Sequence, residues 1–148
     1  MTEQMMRSAE HNPTIATKIA IVVRDDLPAW QKLNMTAFLA SGIAASAPDS
    51  VGAPYRDADG TSYTPMFGQP VMVFTADPDR LTRTLNRALA RGVVPAVFTA
   101  ELFTTGHDEA NRAAVAALGR DDINPIGLAV RSDRKTVDKI VDGLRLHR

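Results

Sequence analysis

The chain has 148 residues, of which 45 % are hydrophobic and 23 % are charged. A chain of this length and composition folds as one domain that buries roughly 70 % of its unfolded surface, which excludes a disordered or fibrous protein. Its 17 basic and 17 acidic residues cancel, and it has no cysteine. Neutrality argues against nucleic acid as the main partner, and the lack of cysteine excludes disulfides and thiolate metal sites.

The start of the chain predicts a flexible polar arm over residues 1–16, followed by a single domain over residues 17–148. The arm contains no apolar stretch of the length that a secretory signal requires. The longest apolar run, residues 37–47, is far shorter than the roughly 20 residues that span a bilayer. We therefore expect a cytoplasmic protein with no membrane partner.

Four apolar runs predict buried strands, and none of them alternates with polar residues, which is typical of strands covered on both faces. They are Ile19–Val23, Val71–Phe74, Val94–Phe98 and Ile126–Val130. Each is followed by a helical pattern. This order predicts an α/β fold, a three-layer α/β/α sandwich with a mostly parallel, mixed sheet of about four strands.

The first predicted helix, from about Pro28 to Ala47, is apolar on most of its sides. A helix of that kind is normally buried all round. We expect it either to lie under the loop that follows or to form a homodimer interface, where the small residues Ser41, Gly42 and Ala45 would permit close approach.

Three further helices are predicted from their end signals. Asp77 and Pro78 mark the start of the second, which ends near Gly92. The third covers residues 108–118, and Ser132 is the expected N-cap of the fourth.

The segment from 48 to 69 is rich in proline and glycine and predicts a long loop. It should contain a short strand pair, at Tyr55 and Thr61–Thr64, around a turn at Gly60. Loops of this length are often functional lids. Tyr55 and Tyr63 are the residues we expect to close over a site.

Charged residues follow the first and third predicted strands. Asp25 and Asp26 end the first, and the turn AELFTTGHDE at 100–109, which includes Glu101 and His107, follows the third. If these two strands are neighbours, the side chains share a cleft suited to general acid or base chemistry. The alternative is a charged turn that caps a helix, because acids in a first turn complement the helix dipole.

No pattern for a metal or a cofactor is present. The sequence has no helical histidine pair and no cysteine, so we expect no metal. DADG at 57–60 resembles the start of a calcium loop, but the acid spacing and the closing glutamate do not fit, which predicts a turn. Motifs for dinucleotides, phosphate loops and serine hydrolases are absent, so we expect no cofactor.

Four arginines of the second helix are spaced by three, four and four residues and therefore lie in line on one helical face. They are Arg80, Arg83, Arg87 and Arg91. Such a line can follow a phosphate backbone. The alternative is a solvated face opposite the leucines of the same helix.

Three segments together resemble the peptidyl-tRNA hydrolase family of the archaeal and eukaryotic type. They are KIAIVVRDDL at 18–27, LARGVVPAVFTAELFTT at 89–105 and VDKIVDGLRL at 137–146. The chain as a whole is more similar to an uncharacterised branch of that superfamily, the domain of unknown function DUF2000. The resemblance covers most of residues 17–147 and implies an α/β sandwich that is often a dimer.

The resemblance implies an incomplete set of catalytic positions. Glu101 falls at the position of the family's aspartate, Thr105 at that of its threonine, and Lys32 matches a lysine of the first helix. The histidine of the family's first helix has no counterpart, because Phe38 and Leu39 occupy the equivalent region. We therefore expect the fold to be shared and the hydrolytic activity not to be.

These observations lead to one leading hypothesis and two alternatives. The leading one is a small-ligand cleft at the strand ends with a degenerate hydrolase site, closed by Tyr55 or Tyr63. Its lining residues would be Asp25, Asp26, Lys32, Glu101, Thr105 and His107. The alternatives are an esterase acting on peptidyl- or aminoacyl-tRNA, with the arginine line holding the RNA, and a homodimeric interaction protein.

Overall fold

A computed structural model describes residues 16–148, so the predicted arm lies, except for its last residue, outside the described residues. Along the chain, the helices and strands are β1 (Thr17–Arg24), α1 (Ala29–Ser46), β2 (Tyr55–Arg56), β3 (Ser62–Tyr63), β4 (Val71–Ala76), α2 (Pro78–Ala90), β5 (Ala96–Thr99), α3 (Asp108–Ala116), β6 (Pro125–Asp133), α4 (Arg134–Ile140) and β7 (Arg145–Leu146). Three short 3-10 turns cover Pro48–Ser50, Ala100–Phe103 and Arg120–Asp122.

Five strands form one mixed sheet in the order β5-β6-β1-β4-β7, and β2 pairs with β3 in a separate hairpin. In the main sheet, β1 and β4 are parallel, whereas the other three pairs are antiparallel. The α/β fold with a mixed sheet is confirmed. The expectation of about four mostly parallel strands is wrong, and β7 was missed because a strand of two residues shows no hydrophobic periodicity.

The first and third predicted strands are not neighbours, because β6 lies between β1 and β5. Both are antiparallel to β6, so they run in the same direction as each other. The carboxyl ends of β1, β4 and β5 therefore meet one edge of the sheet. A row of directly paired residues crosses the sheet near this edge, in the order Phe98, Gly127, Val23, Thr75 and Arg145. At about 4.8 Å per strand, the row is ~19 Å long.

Residues of β1 alternate between two hydrophobic clusters. Ile19, Ile21 and Val23 pack with the buried residues of α1. Ala20 and Val22 pack with those of α2 and α4. All five side chains are almost completely buried, which explains why the strand sequence does not alternate with polar residues.

Within the described chain, helix α1 is buried on one side only, and the interface expected for its other side stays a prediction. Three residues spaced by four face the core, namely Met35, Leu39 and Ile43. Three others are between 55 % and 72 % exposed, namely Trp30, Leu33 and Phe38. Gly127 of β6 lies directly against Met35 and leaves no room for a side chain of its own. In the described part of the chain, no helix combines the length and the hydropathy needed to cross a bilayer.

The N-caps of α2 and α4 are both aspartates. Asp77 is the cap predicted for α2, and its Oδ1 accepts a hydrogen bond from the backbone N–H of Arg80 at 2.8 Å. Helix α4 is capped by Asp133 and not by the predicted Ser132, since Oδ1 of Asp133 accepts from the N–H of Thr136 at 2.9 Å. The predicted N-cap of α4 is wrong by one residue, because Ser132 and Asp133 are adjacent and both are residue types that cap helices.

Candidate functional site

A cavity of about 400 Å³ lies between α1 and the turn that follows β5. Residues of α1, of that turn and of the start of α3 line it, and they include Trp30, Asn34, Phe38, Phe103, Thr105, His107 and Asn111. We call it the aromatic cavity. Its volume falls within the roughly 300–1,000 Å³ typical of small-molecule sites.

Four aromatic side chains hold α1 against this turn. Trp30, Asn34 and Phe38 recur at a spacing of four, which places them on one face of the helix. The ring centroids of Trp30 and Phe103 are 5.8 Å apart in an edge-to-face arrangement. Phe98 contacts both α1 and the turn, because its ring centroid is 5.9 Å from that of Phe38 and 4.9 Å from that of Phe103. Trp30 nevertheless remains 62 % exposed, so much of its ring surface is accessible to a ligand.

Thr105 and His107 bring polar atoms to the aromatic cavity. The Thr105 hydroxyl forms hydrogen bonds with the backbone oxygen of Leu102, at 3.2 Å, and with Oδ1 of Asn111. His107 is the N-cap of α3, and its Nδ1 accepts from the backbone N–H of Ala110 at 3.2 Å. In the neutral ring the proton is then on Nε2, which is a donor. His107 therefore both caps a helix and lines the cavity.

Glu101 lies on the 3-10 turn Ala100–Phe103 and is not among the residues that line the aromatic cavity. Its Oε2 is buried and has no hydrogen-bond partner in the described part of the chain. A buried polar atom in this state calls for a further partner, such as water or a ligand. Within residues 16–148, no group of three or more potential metal-binding side chains is found.

Lys32 lies on a different face of α1 from Trp30. Two residues of an α-helix correspond to a rotation of roughly 200°. The Nζ of Lys32 is 3.3 Å from Nε2 of His147, beside β7. The structure thus brings Thr105 and His107 to one cavity, and it places Lys32 elsewhere.

Asp26 forms a two-point ion pair with Arg24. The Arg24 Nε donates to Oδ1 of Asp26 at 2.6 Å and its Nη2 donates to Oδ2 at 3.0 Å. This hydrogen bonding is the main cause of a pKa of Asp26 below its ordinary value. Asp26 is directed to its neighbour in sequence, and neither it nor Arg24 lines the aromatic cavity.

Asp25 lines a second cavity, of about 500 Å³, beyond the carboxyl ends of β1 and β4. Thr75, Asp77 and Arg80 line it with Asp25, and so does the segment 143–145. Asp25 is therefore separated from Thr105 and His107, although all three lie near the same edge of the sheet.

The four arginines predicted to lie in line, three of them in α2 and one at its C-cap, border one groove between α2 and the turn after α4. They are Arg80, Arg83, Arg87 and Arg91. The narrow part has a volume of about 190 Å³ and lies beside Arg83. The wider part has a volume of about 410 Å³, and Lys135 and Lys139 of α4 also line it. We call the surface formed by these six basic residues the arginine groove.

Tyr55 and Tyr63 face each other across the β2–β3 hairpin. The Tyr63 hydroxyl donates to Oδ2 of Asp57 at 2.9 Å. The backbone N–H of Thr61 and this hydroxyl are the main causes that lower the pKa of Asp57. The predicted strand pair and the turn at 57–60 are confirmed. Neither tyrosine is among the residues that line the aromatic cavity or the second cavity, and their closing role stays a prediction.

Asn34, Phe38 and Asn111 are cavity residues that the sequence reading did not assign to a site. The spacing of four between Trp30, Asn34 and Phe38 was a usable signal, because it puts one polar side chain between two aromatic ones on one helical face. Asn111 carried no such signal, since its place depends on how α3 begins.

A family model described as "Protein of unknown function (DUF2000)" matches residues 17–148. The chain is also similar to a solved structure of a protein of unknown function from Agrobacterium tumefaciens, with 45 % identity and a TM-score of 0.87. That similarity covers 90 % of this chain and 98 % of the other chain. No curated protein matches the chain.

Proposed function

The chain belongs to the DUF2000 family, whose description assigns no activity, and we propose from its own geometry that it binds a small molecule with a flat, apolar ring in the aromatic cavity. The observation that carries this proposal is the accessible ring of Trp30, set edge-to-face against Phe103 in a cavity that also receives the polar groups of Thr105 and His107. A largely apolar cavity with a few convergent polar groups is the usual form of a small-molecule site.

The polar groups of the cavity favour a neutral ligand. Asn34 and Asn111 offer amide donors and acceptors, and His107 offers the Nε2 donor. Asp108 also lines the cavity, but its carboxylate is paired with Arg112 at 2.5 Å. A neutral heterocycle with both donor and acceptor atoms matches these groups best.

Fluorescence of Trp30 provides a direct test, because it is the only tryptophan of the chain. Titration with neutral heterocycles such as indole and quinoline should identify compounds that change its emission and raise the melting temperature. At 100 times its dissociation constant, a ligand stabilises the folded state by about 2.7 kcal/mol.

Two variants locate the binding. Phe103→Ala should weaken the binding of a confirmed ligand by up to about tenfold, since an aromatic contact contributes roughly 0.5–1.5 kcal/mol beyond its area burial. Leu33→Ala is the control, because Leu33 is an exposed apolar residue of α1 that does not line the cavity. Equal weakening by both variants would contradict the assignment.

A second candidate is an esterase acting on peptidyl- or aminoacyl-tRNA, and the relation to peptidyl-tRNA hydrolases behind it stays a prediction. The observation that favours it is the unpartnered Oε2 of Glu101, close in sequence to Thr105. A carboxylate in this state can orient a water for hydrolysis. Release of the acyl group from aminoacyl-tRNA, lost in Glu101→Gln, would support it, and no release by the unaltered protein would dispose of it.

The homodimer stays a prediction as well, and the exposed apolar face of α1 supports it. Leu33 is 72 % exposed and lies outside the aromatic cavity, so Leu33→Asp tests the interface without altering the ligand site. If α1 forms a dimer, sedimentation should show a concentration-dependent dimer that this variant lacks.

A further inference from the structure

We propose that the arginine groove and the second cavity together bind a phosphate ester whose body carries hydroxyl or amino groups, the chemistry of a nucleotide or a sugar phosphate. The site lies beside α2 and α4, whereas the aromatic cavity lies beside α1. It is therefore a separate site, and it does not depend on the function proposed above.

The groove and the cavity are continuous. Arg80, Gly143 and Leu144 line both the second cavity and the narrow part of the groove. Arg87 and Asp142 line both the narrow and the wider part. The Arg87 Nη1 donates to the backbone oxygen of Asp142 at 2.9 Å, which fixes the turn opposite α2. One ligand can thus extend from the carboxyl ends of β1 and β4 into the groove.

The groove concentrates positive charge in a chain whose net charge is zero. Six basic side chains line its two parts against two aspartates, Asp138 and Asp142. Asp138 is paired with Lys18 at 2.6 Å, so its charge is compensated from outside the groove. The side chain of Arg83 forms no hydrogen bond or ion pair with any described residue, and its guanidinium donors remain available for the two-point contact that phosphate favours.

The cavity end has no such basic excess. Asp25 and Asp77 line it against Arg80 and Arg145, and Thr75 lines it beside them. Carboxylates repel phosphate and accept hydrogen bonds from hydroxyl and amino groups. Arg80 lies between the two ends, with its Nη1 3.3 Å from Oδ2 of Asp77. These charges favour one orientation, in which the phosphate lies against Arg83 and the body occupies the cavity.

The same separation of charge distinguishes a small ester from a nucleic acid strand. A strand carries phosphates along its whole length, so a strand that followed the arginines into the cavity would bring one beside Asp25 and Asp77. The cavity volume of about 500 Å³ is that of an ordinary small-molecule site. The observations therefore favour a ligand with phosphate at one end only.

Calorimetric titration of the full chain with ADP, pyrophosphate and adenosine, at about 0.15 M salt, tests the proposal. We expect ADP to bind more tightly than pyrophosphate and adenosine not to bind at this site. Arg83→Ala should weaken ADP binding by about 10- to 100-fold, because a hydrogen bond to a charged group is lost. This variant removes no hydrogen bond within the described part of the chain, so the fold should be retained. Asp25→Ala should weaken the binding of ADP and leave the binding of pyrophosphate unchanged.

Arg56→Ala is the matched control, because it removes the same charge from the exposed β2–β3 hairpin. Equal weakening of ADP binding by Arg56→Ala and Arg83→Ala would mean that the loss of affinity comes from the changed net charge and not from a contact with Arg83, and it would overturn the proposal. So would an oligouridylate that binds more tightly than ADP with a steep salt dependence, since the groove would then hold a strand. The Trp30 titration reports the aromatic cavity in the same variants, so failure at one site is distinguishable from failure at the other.

Discussion

The aromatic cavity lies beside α1, and the arginine groove lies beside α2 and α4, which pack against the other side of β1. The two regions differ in what would hold a ligand. The row of paired residues between β5 and β7 spans ~19 Å. At the β5 end, aromatic rings and a few uncharged polar groups, such as Nε2 of His107, are available to a ligand. Towards the β7 end, the side chain of Arg83 has no partner among the described residues, and charge remains. Selectivity in the first region should follow the outline of a ring, and in the second the position of a phosphate.

The two regions also show how little the net charge of a chain says about a local surface. Equal numbers of acidic and basic residues argue correctly that the protein as a whole has no basic excess. They do not exclude a groove in which six basic side chains meet two acids. Local charge depends on which helical faces meet, and here α2 and α4 turn their basic residues to the same groove.

Truncation of one buried residue under each of α1 and α2 should have the largest effect, and it should impair the two regions separately. Met35 of α1 and Leu81 of α2 are both completely buried, in different clusters. Each change to alanine should lower the free energy of unfolding by ~2–5 kcal/mol, measured by urea denaturation, because buried contacts are lost and a cavity is left. Met35→Ala should also weaken heterocycle binding and spare ADP binding, and Leu81→Ala should do the reverse. If either variant impairs both sites equally, the two regions are not independent.

Replacement of the N-cap residues beside the two regions should change the free energy of unfolding by a smaller amount. Asp77 caps α2, which carries the arginines, and His107 caps α3 beside the aromatic cavity. Asp77→Ala should lower the free energy of unfolding by about 1 kcal/mol, since aspartate is among the preferred N-cap residues. His107→Ala should lower the free energy of unfolding by less than this, because histidine is not among the preferred N-cap residues. Thermal denaturation of both variants measures the difference, and a larger loss for His107→Ala would contradict this ranking.

Four of the five strands of the main sheet could be predicted from the sequence, because each contains an unbroken apolar run, whereas β7 is too short to show one. Their order could not, because the insertion of β6 between β1 and β5 depends on pairing between residues such as Phe98 and Gly127, which are far apart in the chain. The shared cleft expected for Asp25 and Glu101 assumed that the two strands were adjacent. With β6 between them, Asp25 lines a cavity beside β4 and α2 instead.

The site could be predicted in part for a related reason. Thr105 and His107 were found because polar residues directly after a buried strand lie at the sheet edge. Lys32 is assigned to the site only through the family resemblance. It lies on another face of α1 from Trp30, which could not be predicted because the apolar pattern of this helix does not show which face meets the core. Met35 packs against Gly127, which has no side chain, and this contact places the Met35 face of α1 on the sheet. A glycine within a strand does not indicate in the sequence which residue will pack against it.

The smallest expected effect concerns Asp26, which follows β1 between the two regions. Its folded-state pKa is lowered, mainly by the hydrogen bond from Arg24. A lowered pKa means that the ion pair stabilises the fold fully above the unfolded-state pKa of about 3.9, and that this stabilisation is lost as the pH falls through the lower folded-state value. Asp26→Asn should therefore reduce the melting temperature slightly near neutral pH and not at all in strong acid.

Asp25→Asn is the control for this titration, because the Asp25 carboxylate makes no hydrogen bond with any described residue and the substitution removes the same charge. A melting-temperature difference for Asp26→Asn that persisted in strong acid would mean that the Asp26 side chain stabilises the fold by something other than its charge. The pair is exposed, so added salt should also reduce the difference. Heterocycle binding should remain unchanged in Asp26→Asn, because this carboxylate is directed to Arg24 and not to the aromatic cavity.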